Sequence, residues 1–388
     1  MRKRLNSIDL IRGFCLVNIF VNHMTTGFVS KVSPSNFGFS DSAEIFVFLA
    51  GVSTYLAYGR LNFRAAWATL WKRAGTLYKY NLGIIGVSLL GLLVLARLAG
   101  SDGMLDAVFL QVLAAENPVN LAWHILTLQQ SVGYSMVLRL YVALMLMAPV
   151  LLWLASKRWW WALPPALAIW AVSGQFGLVS HDSLTHVPLN MTILPWTLVF
   201  AGGLALGAGW AQGVRMPRSP FLLGAALAMV ASYLVLLYVL PHWPAGQAWA
   251  VGREQHFWLG SSKAYESPLR LLHALALVYI FTAYPNAPIL RLVHRVGRNA
   301  FLARLGRRSL PVFTFGAVYA LLTNELLHIV EQAWGKASPT AIAFEVAVIL
   351  LGLMVMGLIT ERRRWPLRLA PAALDRSGPA PVMAERAA

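Results

Sequence analysis

Charged residues are scarce in this chain, and their scarcity excludes most soluble folds. Only 12% of the 388 residues are Asp, Glu, Lys or Arg, whereas an average soluble domain has about 25%. Acidic residues are the scarcer kind, because 15 of them face 32 basic residues, for a formal net charge of +17. The hydrophobic share is 58% and the mean hydropathy is +0.61. This composition predicts an integral membrane protein whose Lys and Arg residues line cytoplasmic loops, and not a protein that binds nucleic acid.

Several chemical motifs are also missing. The single cysteine, Cys15, excludes an internal disulfide. The first residues, MRKR, resemble the start of a signal peptide, but no small-residue cleavage site follows, so we expect the first span to remain as an anchor. We find no Gly-x-Ser-x-Gly elbow, no glycine-rich phosphate loop and no cluster of metal ligands. A covalent serine enzyme is therefore disfavoured, and no metal is expected.

Apolar segments of about 20 residues predict an all-α polytopic membrane protein. We predict a bundle of ten transmembrane helices, with both termini cytoplasmic, at residues 8–29, 42–59, 79–98, 134–155, 159–176, 191–211, 219–240, 269–286, 310–331 and 340–360. This arrangement puts 24 of the 32 basic residues on the inner side, as the positive-inside rule requires.

The sequence also predicts the domain boundaries and two irregular regions. Residues 1–361 form a single transmembrane domain, and 362–388 form a disordered cytoplasmic tail. Segment 103–131 is only moderately apolar, and we expect an interfacial or re-entrant helix there. Pro164 and Pro165 either kink the fifth span or lie near its start.

The first span carries a polar stripe within the sequence SIDLIRGFCLVNIFVNHM, residues 7–24. In a helix, His23 projects within about 20° of Arg12, and Asp9 lies about 60° from Arg12 on the same side. Asn22 lies on a neighbouring flank. Such residues within a span are costly and mark a functional interior by default. Two simpler alternatives stay open: Asp9 and Arg12 pair near the inner headgroups, or His23 is satisfied by a neighbouring carbonyl.

A second polar motif, FGFSDSAEIFVFLAG at residues 37–51, opens the second span. Asp41 and Glu44 fit a capping box. In this motif, the side chain of each residue accepts a hydrogen bond from the backbone N–H group of the other. The outer loop before them is short, so the first two helices are expected to be antiparallel neighbours. Asp41 and Glu44 would then approach His23, and a carboxylate that orients an imidazole is typical of a general base.

These two motifs resemble the OpgC family, membrane succinyltransferases that modify osmoregulated periplasmic glucans and are related to a broader superfamily of transmembrane acyltransferases. Weaker matches are LRLYVALMLMAP (138–149), RLLHALALVYI (270–280) and LGRRSLPVFTFG (305–316). The superfamily's pattern of an Arg and a His separated by ten residues coincides with Arg12 and His23. The resemblance implies acyl transfer from acyl-CoA, succinyl-CoA or acetyl-CoA, to a carbohydrate hydroxyl, with His23 essential.

Other charged residues suggest where the two substrates bind. Lys263, Arg270 and His273 are predicted at the outer mouth of the eighth span, where they bind a carboxylate such as succinyl or anchor lipid headgroups. Arg307 and Arg308, with Ser309 beside them, lie at the inner mouth of the ninth span. They hold donor phosphates or are ordinary cytoplasmic charges.

We therefore predict an O-acyltransferase of the bacterial inner membrane that acts on a periplasmic glucan or another cell-envelope glycan. His23, Asp41 and Glu44 are the predicted catalytic residues, and Arg12, Asp9 and Asn22 are predicted to bind substrate. The partners are membrane lipid, the glycan, acyl-CoA and, in an oligomer, further copies of the chain. The main rival is a glycan or amphiphile transporter, although we find no paired repeats of the kind that transporters often carry. A third alternative, a sensor or scaffold, would tolerate changes at Arg12 and His23.

Overall fold

The computed structural model describes residues 6–24, 29, 33, 36–99, 117–181, 188–287, 291, 295–297, 299–335 and 338–361. This part of the chain is α-helical, and its β structure is limited to an isolated bridge between His181 and Pro188. The α-helices are α1 (Asn6–Asn22), α2 (Ser42–Tyr58), α3 (Phe63–Ala99), α4 (Pro118–Leu126), α5 (Met136–Lys157), α6 (Leu163–Gln175), α7 (Ile193–Ala211), α8 (Pro220–Tyr238), α9 (Pro244–Gly252), α10 (Pro268–Ala283), α11 (Phe301–Arg307), α12 (Ser309–Trp334) and α13 (Pro339–Glu361).

Six helices in the described residues are long and apolar enough to cross a membrane, namely α3, α5, α7, α8, α12 and α13. Helices α2 and α10 are apolar but shorter, at 17 and 16 residues. The chain is thus an all-helical, multi-pass membrane protein. The count of ten spans and the cytoplasmic position of both termini stay predictions.

The third helix is much longer than the sequence predicted. We expected a span at 79–98, preceded by an inner loop with several basic residues, but α3 begins at Phe63 and runs for 37 residues. The segment contains no proline, and it buries a stripe with helical spacing at Ala66, Leu70, Ala74 and Leu77. The basic residues Arg64, Lys72 and Arg73 therefore lie on a helix and not in a loop.

Two other local expectations meet different outcomes. Helix α6 begins at Leu163, so that Pro164 and Pro165 occupy its first turn, where a missing N–H group costs no hydrogen bond. Within segment 103–131, the described helix α4 has nine residues, too few to cross about 30 Å of hydrocarbon. Residues 103–116 and the predicted tail at 362–388 lie outside the described residues.

Glycines permit the closest helix crossings. An ideal Cβ atom on Gly306 of α11 would lie 1.7 Å from the carbonyl oxygen of Asp9 in α1. A Cβ atom on Gly203 of α7 would lie 1.9 Å from the carbonyl oxygen of Phe48 in α2. Small residues at such contacts let helix backbones approach closely, which drives helix association in membranes. These contacts fix α1 and α2, the two helices with polar motifs, within the bundle.

Two hydrogen bonds confirm that α1 and α2 are antiparallel neighbours. Asn18 Nδ2 donates to Ser42 Oγ over 2.6 Å, and Arg12 Nη2 donates to Ser53 Oγ over 2.6 Å. The earlier residue of α1 thus contacts the later residue of α2, as antiparallel helices require. The polar stripe of α1 therefore faces another helix and not lipid, as its cost in hydrocarbon predicts.

Candidate functional site

The imidazole of His23, which directly follows α1, is oriented by its own helix. Its Nδ1 lies 2.7 Å from the carbonyl oxygen of Ile19. A carbonyl oxygen only accepts, so Nδ1 carries the proton and Nε2 keeps a lone pair in the neutral ring. The residue as a whole is partly buried, and its ring packs against that of Tyr134, with the ring centroids 4.2 Å apart. This geometry makes Nε2 the atom that can take a proton.

The group that orients His23 in the structure is not a carboxylate. We predicted that Asp41 or Glu44 orients the imidazole, but the carbonyl of Ile19 does so instead. Neither Asp41 nor Glu44 forms a hydrogen bond with the ring. The structure thus has the alternative that the sequence left open, a neighbouring carbonyl, and Asp41 and Glu44 instead bind two cations, of another helix and its preceding loop.

Asp41 and Glu44 form the predicted capping box at the start of α2. Ala43 N donates to Asp41 Oδ1 over 2.7 Å, and Asp41 N donates to Glu44 Oε2 over 2.8 Å. The remaining carboxylate oxygens bind cations: Lys263 Nζ lies 2.6 Å from Asp41 Oδ2, and Arg270 Nε lies 2.8 Å from Glu44 Oε1. Arg270 Nη2 also contacts both acids. The sequence motif therefore serves as cap and as ion-pair acceptor.

We call Asp41, Glu44, Lys263, Glu266 and Arg270 the outer charge cluster. Glu44 is fully buried and Arg270 is 9% exposed, so Arg270 does not anchor a lipid headgroup. Its guanidinium donates to the two acids, and its predicted role as a substrate contact stays a prediction. Lys263 keeps 26% of its side chain exposed. Lys263 is thus the cation of the cluster that a ligand can reach.

Three side chains from elsewhere in the bundle donate hydrogen bonds to the backbone of the loop that contains Lys263. Trp196 Nε1 donates to the carbonyl oxygen of Lys263 over 2.9 Å, and Trp170 Nε1 donates to that of Glu266 over 2.8 Å. Thr192 Oγ1 donates to the carbonyl oxygen of Ala264. These bonds hold the charged side chains of residues 263–266 against the N-terminal end of α2.

His273 lies on the same helix as Arg270, three residues further on, but its hydrogen-bond partner is not a member of the outer charge cluster. Its Nδ1 lies 2.6 Å from Ser40 Oγ, and the residue is 4% exposed. Its ring also lies edge-on to Phe39, with the ring centroids 6.2 Å apart. His273 therefore fixes the segment that leads into α2, and its predicted contact with substrate stays a prediction.

A cavity of about 310 Å³ lies at the other end of the α1–α2 seam. Its charged lining groups are Arg12 and Arg73, and the hydroxyl groups of Ser53 and Ser309 also line it. The rest of the wall is largely apolar, with side chains from α2, α3, α5 and α12. A ligand that fits would combine an anionic group with an apolar or flexible part.

Arg73 is the residue that the sequence analysis missed. The sequence assigned Arg73 to an inner loop. In the structure it lies on the continuous helix α3 and lines the cavity, as does Leu77 one turn further on. Arg73 has no hydrogen-bond or ion-pair partner in the part of the chain that the structure describes. Arg12, by contrast, donates to Ser53 Oγ and to the carbonyl oxygen of Leu49. The absence of proline before Lys79 was the signal that the helix extends back to Arg73.

Aromatic rings connect His23 with this cavity. The ring of Tyr134 lies 4.2 Å from that of His23, centroid to centroid, and 5.2 Å from that of Phe313. Phe313 lines the cavity. A ligand held by Arg12 and Arg73 is thus separated from His23 by two aromatic side chains.

Of the remaining predicted site residues, one lines the cavity and the others lie elsewhere in the fold. Of the three residues predicted to hold donor phosphates, Ser309 lines the cavity, whereas Arg308 Nη1 donates to the carbonyl oxygen of Ile359 over 3.0 Å. Arg307 ends α11 and is partly exposed. Asp9 is 4% exposed where α1 crosses α11, and Asn22 ends α1 beside His23. Among the described residues, we find no group of three or more potential metal ligands.

One comparison with known proteins identifies a family. The sequence model of the family described as OpgC protein matches residues 4–365, nearly the whole chain. Searches of the curated proteins and of the solved structures find no match.

Proposed function

We propose that this chain, which belongs to the OpgC family, is a membrane O-acyltransferase. It moves a succinyl or acetyl group from acyl-CoA to a hydroxyl group of a periplasmic glucan or another cell-envelope glycan, in the bacterial inner membrane. The observation that carries the proposal is the state of His23. Its Nδ1–H donates to the Ile19 carbonyl and the residue as a whole is only partly buried, so the neutral ring keeps the Nε2 lone pair for use as a general base.

The reaction needs one base and no net proton. Nε2 of His23 takes the proton of the acceptor hydroxyl while that oxygen attacks the thioester carbonyl carbon of the donor. The tetrahedral intermediate then breaks its carbon–sulfur bond, and the departing thiolate takes the proton from the imidazolium. The products are the glycan ester and free CoA thiol. A positioned general base of this kind contributes about 10²–10⁴-fold to the rate.

The cavity with Arg12 and Arg73 is suited to the donor. Acyl-CoA carries phosphates on a flexible, partly apolar chain, and guanidinium groups bind phosphates through paired hydrogen bonds. Arg73, which lacks a protein partner among the described residues, would bind such a phosphate without breaking an existing ion pair. Ser309, at the start of α12, offers a hydroxyl group to the same ligand. The thioester would reach His23 past Tyr134 and Phe313.

The outer charge cluster is suited to an acidic acyl group. Lys263 is partly exposed, and its field reaches His23. An ammonium group there can bind the free carboxylate of a succinyl group while its thioester lies near Nε2. Asp41 would share Lys263 with that carboxylate, since it keeps a further contact with Arg270.

Purified protein in detergent tests the proposal. Wild type, incubated with labelled succinyl-CoA and the glucan, should release CoA and produce labelled glucan, and His23→Ala should lose most of this transfer. The matched control His328→Ala changes a histidine of α12 outside the site and should retain it. Undiminished transfer by a folded His23→Ala variant would overturn the mechanism. Transport of intact glycan with no release of CoA would instead support the transporter alternative.

A further inference from the structure

Glu266 is a buried acid that the proposed reaction does not use. It is fully buried, and neither carboxyl oxygen has a hydrogen-bond partner in the described residues. Its nearest cation is Arg270, whose Nε lies 4.0 Å from Glu266 Oε2, beyond hydrogen-bond distance. The backbone of Glu266 has φ of 47°, a left-handed conformation that is uncommon for a residue other than glycine. The bond from Trp170 to its carbonyl oxygen helps hold this conformation.

The charges around Glu266 do not balance if it is ionised. Helix α2 contributes the acids Asp41 and Glu44, the loop contributes Lys263, and α10 contributes Arg270. With Glu266 as a third carboxylate, three negative charges would face two positive ones. Arg270 already donates to Glu44 and Asp41, and Lys263 already donates to Asp41. A buried charge without a partner is far more costly than a buried neutral acid.

We propose that Glu266 is carried as the neutral acid and positions Arg270 against Glu44, so that its ionisation pulls Arg270 away and loosens the start of α2 beside His23. Burial raises the pKa of the Glu266 carboxyl well above its usual range, and the neighbouring Glu44 carboxylate raises this pKa further. The effect on acyl transfer rests on the proposed function, whereas the effect on folding stability does not.

The direction of the pH dependence follows from linkage. A group whose pKa is higher in the folded than in the unfolded state stabilises the fold fully below its unfolded pKa. This contribution is lost as the pH rises from the ordinary glutamate value of 4.5 toward the raised value. Over this range Glu266 ionises in the unfolded chain while the folded protein keeps it neutral, so wild type should lose stability as the pH rises. An uncharged side chain at 266 should remove this part of the loss.

The test is thermal unfolding in detergent as a function of pH, for wild type and Glu266→Gln. The melting temperature of E266Q should match wild type at pH 5 and then exceed it by roughly 2 °C per pH unit, as Glu266 ionises in the unfolded wild-type chain but not in the folded one. The control Glu254→Gln removes an acid of the same loop that is 42% exposed, pairs with Arg253 and accepts a hydrogen bond from Ser261. Its difference from wild type should not grow with pH.

Parallel curves for E266Q and wild type would overturn the proposal. If E266Q does not fold, Glu266→Leu provides the second test, because an apolar side chain of similar volume also avoids an unpaired charge. Failure of both variants at every pH would show that the carboxylate is required, which also overturns the proposal. These curves need no substrate, so they are independent of the outcome for His23→Ala.

Discussion

Arg270 and Glu44 stand 226 positions apart in the chain, yet the guanidinium of Arg270 donates two hydrogen bonds to one carboxylate oxygen of Glu44. This pair joins the first turn of α10 to the first turn of α2. Because Glu44 also caps α2, the pair holds the helix that faces the polar stripe of α1. The outer side of the proposed site is therefore built around a contact that no local sequence motif specifies.

Removing Arg270 should cost far more stability than removing a cation at the surface. Arg270→Ala leaves the fully buried Glu44 without its cation, for an expected loss of about 3–5 kcal/mol in unfolding free energy. Arg304→Ala is the matched control, because Arg304 and Glu361 form an exposed pair that is worth at most about 1 kcal/mol. Thermal or denaturant unfolding in detergent compares the two. Equal losses would refute the structural role of Arg270, and Arg270→Met with Glu44→Gln should recover part of the stability.

Arg73 should matter for the donor and not for the glycan. Arg73→Ala removes a guanidinium that lines the cavity, and we expect the KM for acyl-CoA to rise about 10–100-fold, the value of a lost charge-assisted hydrogen bond. Steady-state kinetics with varied donor and fixed glucan measure this change. Arg64→Ala, which changes an exposed arginine of the same helix, should behave as wild type. A donor KM that stays constant in Arg73→Ala would remove the cavity from the proposed donor path.

Lys263 should discriminate between acyl groups. Lys263→Met removes the exposed ammonium, so kcat/KM for succinyl-CoA is expected to fall roughly 10–100-fold, because the free carboxylate loses its partner. Acetyl-CoA has no such carboxylate and should change little. Lys263→Arg keeps the positive charge and serves as the control. An equal fall with both donors would indicate that Lys263 acts only through its ion pair with Asp41.

The crossing of α1 and α11 should be intolerant of a single methyl group. Gly306→Ala would place a Cβ atom 1.7 Å from the Asp9 carbonyl oxygen, so the helices must separate. Overpacking of this kind costs about 1–3 kcal/mol or more, and the displaced α1 should also lower acyl transfer. Gly224→Ala in α8 has open space at the new methyl group and should be neutral. Equal melting temperatures for the two variants in detergent would contradict this account of the crossing.

Much of the site was predictable because it is local in sequence. The capping box at Asp41 and Glu44 follows from residues three apart. The alignment of Arg12 with His23 stays a prediction, because α1 ends at Asn22 and His23 lies just past it. For the group that orients His23, the sequence left two possibilities open, a carboxylate and a neighbouring carbonyl. Both a carboxylate and the Ile19 carbonyl satisfy the imidazole, and the carboxylates turned out to be bound by cations.

The sequence by itself determined the class of protein, since hydropathy is a sum over neighbouring residues and a helix in lipid must satisfy its own backbone. It also determined the polar stripe of α1, the cap of α2 and the family. Only the tertiary structure decided which charges meet: Arg270 with Glu44, Arg73 with the cavity of Arg12, and Glu266 with no hydrogen-bond partner among the described residues. The physical reason is that such contacts depend on how close two helix backbones approach and how they are rotated. Glycines and packing far from the charged residues set both.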